Sequence, residues 1–367
     1  MGRDALGVGF LGYGWISRAH AHALHTLNHL APLAKEIRLV SIAGRRAEPL
    51  EAAARELGFQ RWTTSLEELL DDPEVDVVAN LTAVQGHAEP TIAALRRGKP
   101  VFCEKPLGAD AGQALAMLEA AESAGVTNAT GFNYRYVPAV ALAKEVLAAG
   151  RLGELRHYRA LYLQDYQTAG GQPRSSGGAG AVLDYSHLVD MLRFLVGEPE
   201  SVVGMTSRLV SDVDDAFVAL FELAGGLVAA LEASRVATGW KGHHRFELNG
   251  SDGSLWWDME DPNRLHVFFA GDERDGLGGF RDVLVTQPEH PFLADWWPPG
   301  HVLGWEHSFV HEWRDFLEAV LEERAVPERQ ASFQDGYRAA VLCEAIHRSA
   351  REGRRVEIAA ARAAIRA

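Results

Sequence analysis

The chain has 367 residues, more than one domain usually contains, and so predicts two domains. Its 36 Lys and Arg against 50 Asp and Glu give a formal charge of −14, which argues against nucleic acid or an anionic membrane as the main partner and favours a small-molecule ligand. Only two cysteines occur, Cys103 and Cys343, which argues against a disulfide framework and favours two buried thiols.

The sequence contains no run of about 18 uncharged apolar residues, the length that spans a membrane. Met1–Ala5 leads directly into an apolar strand rather than into the hydrophobic segment of a signal peptide. We therefore expect a cytoplasmic protein.

The first third of the chain alternates short apolar runs with segments of helical periodicity. The apolar runs are Leu6–Leu11, Ile37–Ala43, Val75–Leu81, Pro100–Cys103 and Val126–Thr130. The helical segments are Ile16–Leu30, Pro49–Leu57, Leu66–Leu70, Ala88–Arg97 and Ala109–Ala124. Short strands separated by helices are typical of βαβ units, so we predict a doubly wound, parallel α/β sheet of the Rossmann type over residues 1–130.

The pattern changes after a helix near Val140–Ala149. The predicted strands are Leu155–Leu163, Val202–Leu209, Ala216–Leu223, Leu227–Ser234, Arg245–Asn249, Gly253–Asp258 and Leu265–Phe269, and the predicted helices are Tyr185–Leu195, Glu306–Leu321 and Gln334–Arg351. Turn residues between neighbouring strands predict a large, open, predominantly antiparallel sheet. Residues 131–367 are thus expected to form an α+β domain, whose last helices could pack back on the first domain.

Two overlapping glycine patterns near the N-terminus predict a nucleotide site. The pattern that begins at Gly12 follows the strand Leu6–Leu11 and opens the helix at Trp15 and Ile16, so we prefer it to the pattern that begins at Gly7. In such a loop Gly12 makes the tight turn, Gly14 lets the backbone approach a pyrophosphate, and the helix N-terminus supplies N–H groups.

The end of the second strand bears on the choice between NAD and NADP. An acid that binds the ribose is expected there, but Glu36 precedes the strand, and its tip reads Gly44-Arg45-Arg46. Two guanidinium groups suit a phosphate, which favours NADP and leaves NAD open.

Glu104-Lys105-Pro106 directly follows the strand Val101–Cys103. Lys105 is therefore predicted at the carboxyl edge of the sheet, where doubly wound folds bind their ligands. A charged pair after a strand buried on both faces indicates a functional site.

Together these residues resemble the glucose-fructose oxidoreductase, inositol dehydrogenase and rhizopine catabolism (Gfo/Idh/MocA) family of dehydrogenases. The resemblance covers essentially the whole chain and rests on Gly12–Ser17, Thr82 with His87, Gly98–Leu107, Gly131–Pro138, Gly177-Gly178, Asp184 with His187, Phe316-Leu317 and Ser349–Gly353. Glu247–Ser251 and Trp296–His301 are similar to the branch of levoglucosan and L-glucose type dehydrogenases.

The resemblance implies an NAD(P)-dependent enzyme that moves a hydride between nicotinamide and a secondary hydroxyl of a sugar, anhydrosugar or cyclitol. It implies that Lys105 lies beside the nicotinamide, that Glu104 helps to hold the cofactor, and that the Lys105–Pro106 bond is cis. By the same resemblance Thr82, His87 and Asn133 are expected on the cofactor side.

An acid/base pair matches His187 and Asp184, with a gap of three residues where many members have four. Either gap keeps both side chains on one face of a continuous helix. His187 can exchange the hydroxyl proton near neutral pH, since the unperturbed pKa of imidazole is about 6.5. Lys105 would stabilise the developing alkoxide, and Asp184 could orient the imidazole or bind a neighbouring hydroxyl.

Polar and aromatic residues near the predicted domain boundary are expected to line a sugar pocket. The candidates that join Lys105, Asp184 and His187 are Tyr134, Arg135, Asp165, Tyr166, Arg174 and, in a Trp-rich loop, His301. Two alternatives remain open: an NAD-dependent glycosidase without net redox chemistry, and a sensor of cofactor or sugar without catalysis. An open sheet with one apolar face also predicts a homodimer or homotetramer.

Two further clusters are interpreted without a metal. The first predicted helix carries His20, His22, His25 and His29, but no carboxylate or cysteine in that stretch completes a metal site, so we expect packing or solvent-facing residues. Asp212, Asp214 and Asp215 lie between two strands, where a solvated turn is expected.

Overall fold

The protein is described by a computed structural model that covers residues 4–168, 179–272, 276, 278–359 and 361. It divides into two compact units: the first is Met1–Asn133 with Trp305–Ala340, and the second is Tyr134–Gly304 with Val341–Ala367. The first break lies three residues after the predicted boundary at 130. Residues 305–340, predicted within the second domain, belong to the first unit.

A six-stranded sheet forms the first unit. Its strands are β1 (Ala5–Leu11), β2 (Glu36–Ala43), β3 (Arg61–Thr63), β4 (Val77–Asn80), β5 (Val101–Glu104) and β6 (Asn128–Gly131). The helices that follow these strands are α1 (Trp15–Leu30), α2 (Ala47–Leu57), α3 (Leu66–Asp71), α4 (Ala88–Arg96) and α5 (Ala111–Ala124). The strand order β3-β2-β1-β4-β5-β6 with parallel pairing is the Rossmann order, which confirms the predicted fold class.

The earlier glycine pattern lies inside β1. A Cβ atom at Gly7 would stand 1.7 Å from the Glu74 carbonyl oxygen, and one at Gly9 would stand 2.8 Å from Val75. These glycines therefore let β1 pack closely against residues 74 and 75. The loop that starts at Gly12 remains the candidate for nucleotide binding.

The second unit contains a nine-stranded sheet. Its strands are β7 (Leu155–Leu163), β8 (Pro199–Ser207), β9 (Ala216–Leu223), β10 (Val228–Ser234), β11 (His243–Gly250), β12 (Gly253–Asp258), β13 (Arg264–Phe269), β14 (Arg281–Leu284) and β15 (Val356–Glu357). The order is β14-β13-β12-β11-β7-β10-β9-β8-β15, and all neighbours are antiparallel except β7 and β10. The predicted, predominantly antiparallel sheet is thereby confirmed.

The remaining helices are α6 (Pro138–Ala148), α7 (Ala181–Asp184), α8 (Ser186–Leu195), α9 (His307–Leu321) and α10 (Phe333–Glu352). Helix α9 belongs to the first unit, while α10 begins in the first unit and ends in the second. Across the described residues, every helix is too short or too polar to cross a membrane.

One face of the nine-stranded sheet is apolar and exposed at one end. Because side chains alternate between the two faces of a strand, Phe217 and Phe221 of β9 are buried while Val218 and Leu220 between them are about half exposed. On the neighbouring strand, Met205 stands opposite Val218 and is 74% exposed.

Of the three aspartates expected in a solvated turn, Asp212 is exposed, whereas Asp214 and Asp215 are buried. Asp215 is fully buried, and one of its carboxylate oxygens accepts hydrogen bonds from the backbone N–H groups of Leu209 and Val210 at 2.7 and 2.8 Å. Its other oxygen lies 3.3 Å from the guanidinium of Arg235, which is also fully buried. Burial alone would raise the pKa of Asp215, but these hydrogen bonds prevail and lower it to about 2.

This depressed pKa predicts acid sensitivity. The contribution of Asp215 is complete above pH ~4, the pKa of an unfolded aspartate, and is lost as the pH falls towards ~2; about 2–3 kcal/mol of unfolding free energy should disappear over that interval. Asp215→Asn is expected to lower stability at neutral pH by roughly 3–5 kcal/mol, because Arg235 loses its buried partner. It should also flatten the profile between pH 4 and 2.

Urea unfolding followed by circular dichroism at several pH values measures both effects. Asp212→Asn, at an exposed neighbouring position, is the matched control. Parallel pH profiles for Asp215→Asn and the wild type would contradict the assignment.

Candidate functional site

The loop after β1 has the geometry of a dinucleotide-binding turn. Gly12 has φ = +98°, and a Cβ atom there would lie 2.8 Å from the Leu81 carbonyl oxygen, so this position requires glycine. Its backbone N–H donates to the Ala43 carbonyl at 2.9 Å. The hydroxyl of buried Ser17 donates back to the Gly12 carbonyl at 3.1 Å. One hydrogen bond to β2 and one from α1 thus fix the conformation of the turn.

The second glycine of the loop faces open space. Gly14 precedes α1 in an extended conformation, and no described atom lies within 4 Å of a Cβ built there. Trp15 is 71% exposed and Ile16 is partly exposed at the first turn of the helix. An open backbone beside a helix N-terminus, whose N–H groups point outward, fits the pyrophosphate of a dinucleotide.

The tip of β2 presents two exposed guanidinium groups, those of Arg45 and Arg46. The Nε atom of Arg46 is 3.5 Å from the Tyr13 hydroxyl. A Cβ atom at Gly44 would lie 2.4 Å from the Tyr13 ring. Gly44 therefore makes room for Tyr13, while the arginines are the groups available to a ligand.

His87 joins the loops that follow β4 and β5. It is 1% exposed, and its ring nitrogens lie 2.9 Å from the Pro106 carbonyl oxygen and 3.0 Å from the Thr82 carbonyl oxygen. Burial lowers the pKa of His87, so a neutral ring donates to one of these carbonyls at a time. These contacts give His87 a structural role, and its expected place on the cofactor side stays a prediction. Thr82 is partly exposed.

Glu104 and Lys105 lie at the carboxyl end of β5. Glu104 is 7% exposed; its Oε2 accepts from the Lys105 backbone N–H at 3.0 Å, and its Oε1 lies 2.9 Å from Nε2 of His20. Lys105 is partly exposed, and the Lys105–Pro106 peptide is cis, as the resemblance implied. Both Glu104 oxygens therefore serve the chain itself, and Lys105 is the group that a ligand can reach.

Asn133 and the start of α9 meet within the first unit. Asn133 is 3% exposed, and its side-chain amide donates to the Ser308 hydroxyl at 2.8 Å. Just before that helix, the ring of Trp305 stacks on Trp15 with centroids 6.0 Å apart. Trp305 therefore lies beside the first residue of α1, next to the glycine loop, which the sequence did not predict.

In the second unit, His187 lies at the first turn of α8 and is 7% exposed. The edge of its ring meets the ring of Tyr134 at a centroid distance of 4.7 Å and an angle of 77°. The Tyr134 hydroxyl is 2.9 Å from the hydroxyl of Tyr162. The predicted histidine and tyrosine are therefore brought together.

Asp184 and His187 do not share one continuous helix. The predicted helix Tyr185–Leu195 is interrupted at Tyr185, which has φ = −94° and ψ = 29°, so Asp184 ends α7. Its carboxylate accepts a hydrogen bond from the Tyr166 hydroxyl. Burial and the nearby carboxylate raise the pKa of Tyr166, so it remains the donor.

Of three other predicted substrate residues, two are described by the structure, and their contact with a substrate stays a prediction. Asp165 is occupied by the ammonium of Lys241 at 2.6 Å, which lowers the pKa of Asp165. His301 is exposed, with Nδ1 2.8 Å from the Pro298 carbonyl oxygen. Arg174 lies outside the described residues, as does the Gly177-Gly178 motif.

Arg135, also expected in the pocket, forms a buried two-fold ion pair with Asp190 at 2.9 and 2.5 Å. It is 3% exposed, so this pair links helix α8 to the segment before α6. Arg135 therefore has a packing role, and its expected contact with a substrate stays a prediction.

Sequence reasoning missed His244 and Tyr162. His244 is fully buried, stacked on Tyr162 at 4.7 Å and edge-on to Tyr134 at 4.6 Å. Burial lowers the pKa of His244 to about 3, so the ring is neutral. The alternation of β11 could have placed His244 inward with Phe246, but it could not have identified the tyrosines.

The sequence predicted no metal site. Among the described residues, one group, His243, Asp258 and Glu260, has potential ligand atoms within 4.8 Å of one another. Nδ1 of His243 is 3.5 Å from each carboxylate, and Glu260 is half exposed. Long, partly solvated ion pairs account for this group.

A Rossmann sheet with an open glycine loop and a lysine at its carboxyl edge, followed by a large open sheet, defines a two-unit nicotinamide-dependent oxidoreductase. Residues 6–132 match the model of the oxidoreductase family with an NAD-binding Rossmann fold, and residues 140–256 match the GFO/IDH/MocA C-terminal domain. The chain belongs to the Gfo/Idh/MocA family of oxidoreductases.

Named relatives carry related activities. Levoglucosan dehydrogenase of Pseudarthrobacter phenanthrenivorans is 34% identical over 94% of this chain and 96% of its own. The scyllo-inositol 2-dehydrogenase (NAD(+)) of Bacillus subtilis is 33% identical over 68% of this chain and 72% of its own. A solved levoglucosan dehydrogenase, in complex with NADH and levoglucosan, superposes with a TM-score of 0.92 at 34% identity, covering 96% of this chain and 99% of that one.

The two glycines of the loop predict different phenotypes. Gly14→Ala should leave the melting temperature unchanged, because its methyl group meets no described atom, yet weaken dinucleotide binding about tenfold by occupying the pyrophosphate space. Gly12→Ala should destabilise the protein by at least roughly 1–2 kcal/mol, the cost of a left-handed backbone with a Cβ. Calorimetric titration and thermal unfolding measure the two effects, and unchanged cofactor affinity in Gly14→Ala would refute the site.

Proposed function

We propose that the protein is an NAD(P)-dependent dehydrogenase that acts on a secondary hydroxyl of a sugar, anhydrosugar or cyclitol. The observation that carries the proposal is the fixed position of Lys105. On one side of Lys105, Glu104 accepts a hydrogen bond from its backbone N–H. On the other side, the His87 ring lies within hydrogen-bond distance of the Pro106 carbonyl and of the Thr82 carbonyl in the neighbouring loop. Gly12 abuts that same loop, so a cation lies at the edge where a dinucleotide fits.

The substrate class rests on the relatives and on the second unit. The relatives named above oxidise an anhydrosugar and a cyclitol, both rich in secondary hydroxyl groups. In this chain the Tyr134 ring meets that of His187, and the Tyr166 hydroxyl donates to the Asp184 carboxylate. These hydroxyl, imidazole and carboxylate groups suit a neutral polyol better than a charged or apolar compound.

His187, Lys105 and Asp184 have different roles in the oxidation of an alcohol. His187 accepts the hydroxyl proton, and Lys105 stabilises the negative charge that develops on the oxygen. Asp184, kept as an acceptor by the Tyr166 hydroxyl, orients a neighbouring substrate hydroxyl. The nicotinamide, when bound, supplies the hydride acceptor. Gly12, Gly14 and the first turn of α1 would hold its pyrophosphate.

We further propose that Arg45 and Arg46 allow the protein to use NADP. Both side chains are exposed at the tip of β2, where doubly wound folds bind the adenosine ribose. The solved relative contains NADH, so kcat/KM with each cofactor must be compared. A strong preference for NAD would refute the NADP part and leave the dehydrogenase intact.

The central prediction concerns turnover. Absorbance at 340 nm with NAD or NADP and a panel of monosaccharides, anhydrosugars and inositols should identify one active compound class. On that substrate His187→Gln should lower kcat by about 10²- to 10⁴-fold, the usual contribution of a general base. Lys105→Met should lower it by about 10²-fold or more, because a positioned charge next to the oxygen is lost.

Matched controls are Lys35→Met and His29→Gln, which change the same residue types away from the predicted cluster. Near wild-type turnover in Lys105→Met or His187→Gln would refute the assigned roles. Release of phenol from an aryl glycoside without net NADH formation would instead favour the glycosidase alternative, and tight cofactor binding without turnover would favour a sensor.

We also propose that a second copy of the chain covers the exposed face of the nine-stranded sheet. The apolar patch consists of Val203, Met205, Val218, Leu220 and Val228, which are 46–74% exposed. A charged pair, Arg159 with Glu247, lies on the same face further along the sheet. An apolar patch with a polar border is typical of an interface, and a two-fold axis would set the patch against itself.

Met205→Asp combined with Val218→Asp is expected to produce a monomer, because two directly opposed carboxylates would be buried at that interface. Light scattering coupled to gel filtration measures the mass. Leu30→Asp, at an exposed leucine of the first unit, is the control and should leave the mass unchanged. A monomeric wild type would contradict the proposal.

A further inference from the structure

A continuous hydrogen-bond chain in the first unit ends at the backbone of Lys105. Nε1–H of Trp313 in α9 donates to Nδ1 of His20 in α1 at 2.8 Å. Nε2 of His20 lies 2.9 Å from Oε1 of Glu104. The other Glu104 oxygen accepts from the Lys105 N–H at 3.0 Å. Trp313 and His20 are fully buried, so solvent does not reach the hydrogen bond between them.

The chemistry of the indole group assigns the tautomer of His20. An indole N–H can only donate, so Nδ1 of His20 must carry the lone pair. In the neutral ring the proton then resides on Nε2, which faces Glu104 and donates to it. The Trp313 donor and the Glu104 acceptor thus favour the same tautomer, in which Nε2–H donates to Glu104.

The same logic assigns the state of Glu104. Both of its described partners are donors, the His20 ring and the Lys105 amide. An ionised carboxylate accepts at both oxygens, whereas a protonated one would place its own proton against a donor. In a buried setting such hydrogen bonds are strong and a missing one is costly. Glu104 therefore holds the Lys105 backbone as a carboxylate.

Aromatic rings enclose the chain. Phe102, two residues before Glu104, stacks on Trp313 with centroids 4.6 Å apart, and Phe309 meets the His20 ring edge-on at 5.0 Å. These rings leave the His20 nitrogens their two named partners among the described residues. A loss of the Trp313 donor therefore has no nearby replacement.

We infer that Trp313 and His20 are positioning residues, which act through Glu104 to fix Lys105. The catalytic part of this inference rests on the proposed dehydrogenase function. Neither residue needs to contact substrate or cofactor. If the indole donor is lost, the Nδ1 lone pair of the buried ring has no donor, and the ring is no longer held where its Nε2–H donates to Glu104. Glu104 then loses part of its support, and the Lys105 backbone is held less firmly.

The first test reads the tautomer directly. In two-bond ¹⁵N–¹H spectra of histidine-labelled protein, His20, assigned by the signal missing in His20→Gln, is expected as the neutral Nε2–H form. Trp313→Phe, which retains a ring to stack on Phe102, should shift the ¹⁵N resonance of the unprotonated Nδ1 of His20, because that nitrogen loses its hydrogen bond. Phe316→Leu is the matched control: it perturbs the same aromatic cluster without a hydrogen bond and should leave that resonance unchanged.

The second test uses kinetics on the substrate found for the wild type. Trp313→Phe should lower kcat about tenfold, the effect of one hydrogen bond, with little change in KM for the sugar. His20→Gln can still donate to Glu104 and should retain more activity than His20→Asn, which offers only the acceptor for Trp313. A merely structural role predicts no such order, because both amides remove the same ring.

The two tests distinguish the hydrogen-bond chain itself from its effect on catalysis. An Nδ1–H tautomer in the wild type would overturn the hydrogen-bond chain. A shifted Nδ1 resonance in Trp313→Phe without loss of kcat, or equal activity of the two His20 amides, would overturn the positioning role. Absence of turnover in the wild type would refute the proposed function, and with it the catalytic role of the chain, while the spectrum would still decide whether the chain exists.

Discussion

The buried carboxylate of Glu104 is the constraint on which the first unit depends. A charge taken out of water must be matched by donors, and here the donors come from α1 and from the next peptide of the chain. His20 is in turn supported by Trp313 of α9. The same bonds that remove the cost of this charge therefore connect two helices to the end of β5 and define where Lys105 stands. The hydrogen bonds of Glu104 therefore stabilise the fold and also position the proposed catalytic lysine.

In the second unit the buried charge that needs partners is the guanidinium of Arg235. Its guanidinium, fully buried, donates to the carbonyl oxygens of Ala179 and Asp214 and approaches the carboxylate of Asp215. Asp214 in turn accepts the backbone N–H of Val182 at 2.7 Å. These bonds hold the beginning of α7, the helical turn that ends at Asp184. In each unit a candidate catalytic residue thus follows a buried charged group that is hydrogen-bonded within that unit.

Long, periodic elements were predicted well, and short or irregular ones were not. The parallel sheet, the glycine loop and the strands of the second unit follow from patterns that extend over many residues. The three-residue β3 and the strands β14 and β15 were missed, because short edge strands carry too few buried positions to show alternation. The break at Tyr185 and the burial of Asp215 also escaped prediction, since both depend on partners distant in sequence.

By itself the sequence determined the family, the α/β class, the choice of Gly12 and Gly14 over the earlier glycines, and the position of Lys105 at the end of a strand. These are local properties, encoded by spacing and by the backbone conformations that glycine permits. Only the tertiary structure decided that Trp313 and Glu104 hold the two ring nitrogens of His20 and that His244 packs on Tyr162. A hydrogen bond near 3 Å between residues 293 positions apart leaves no periodic trace, because it depends on how whole elements pack.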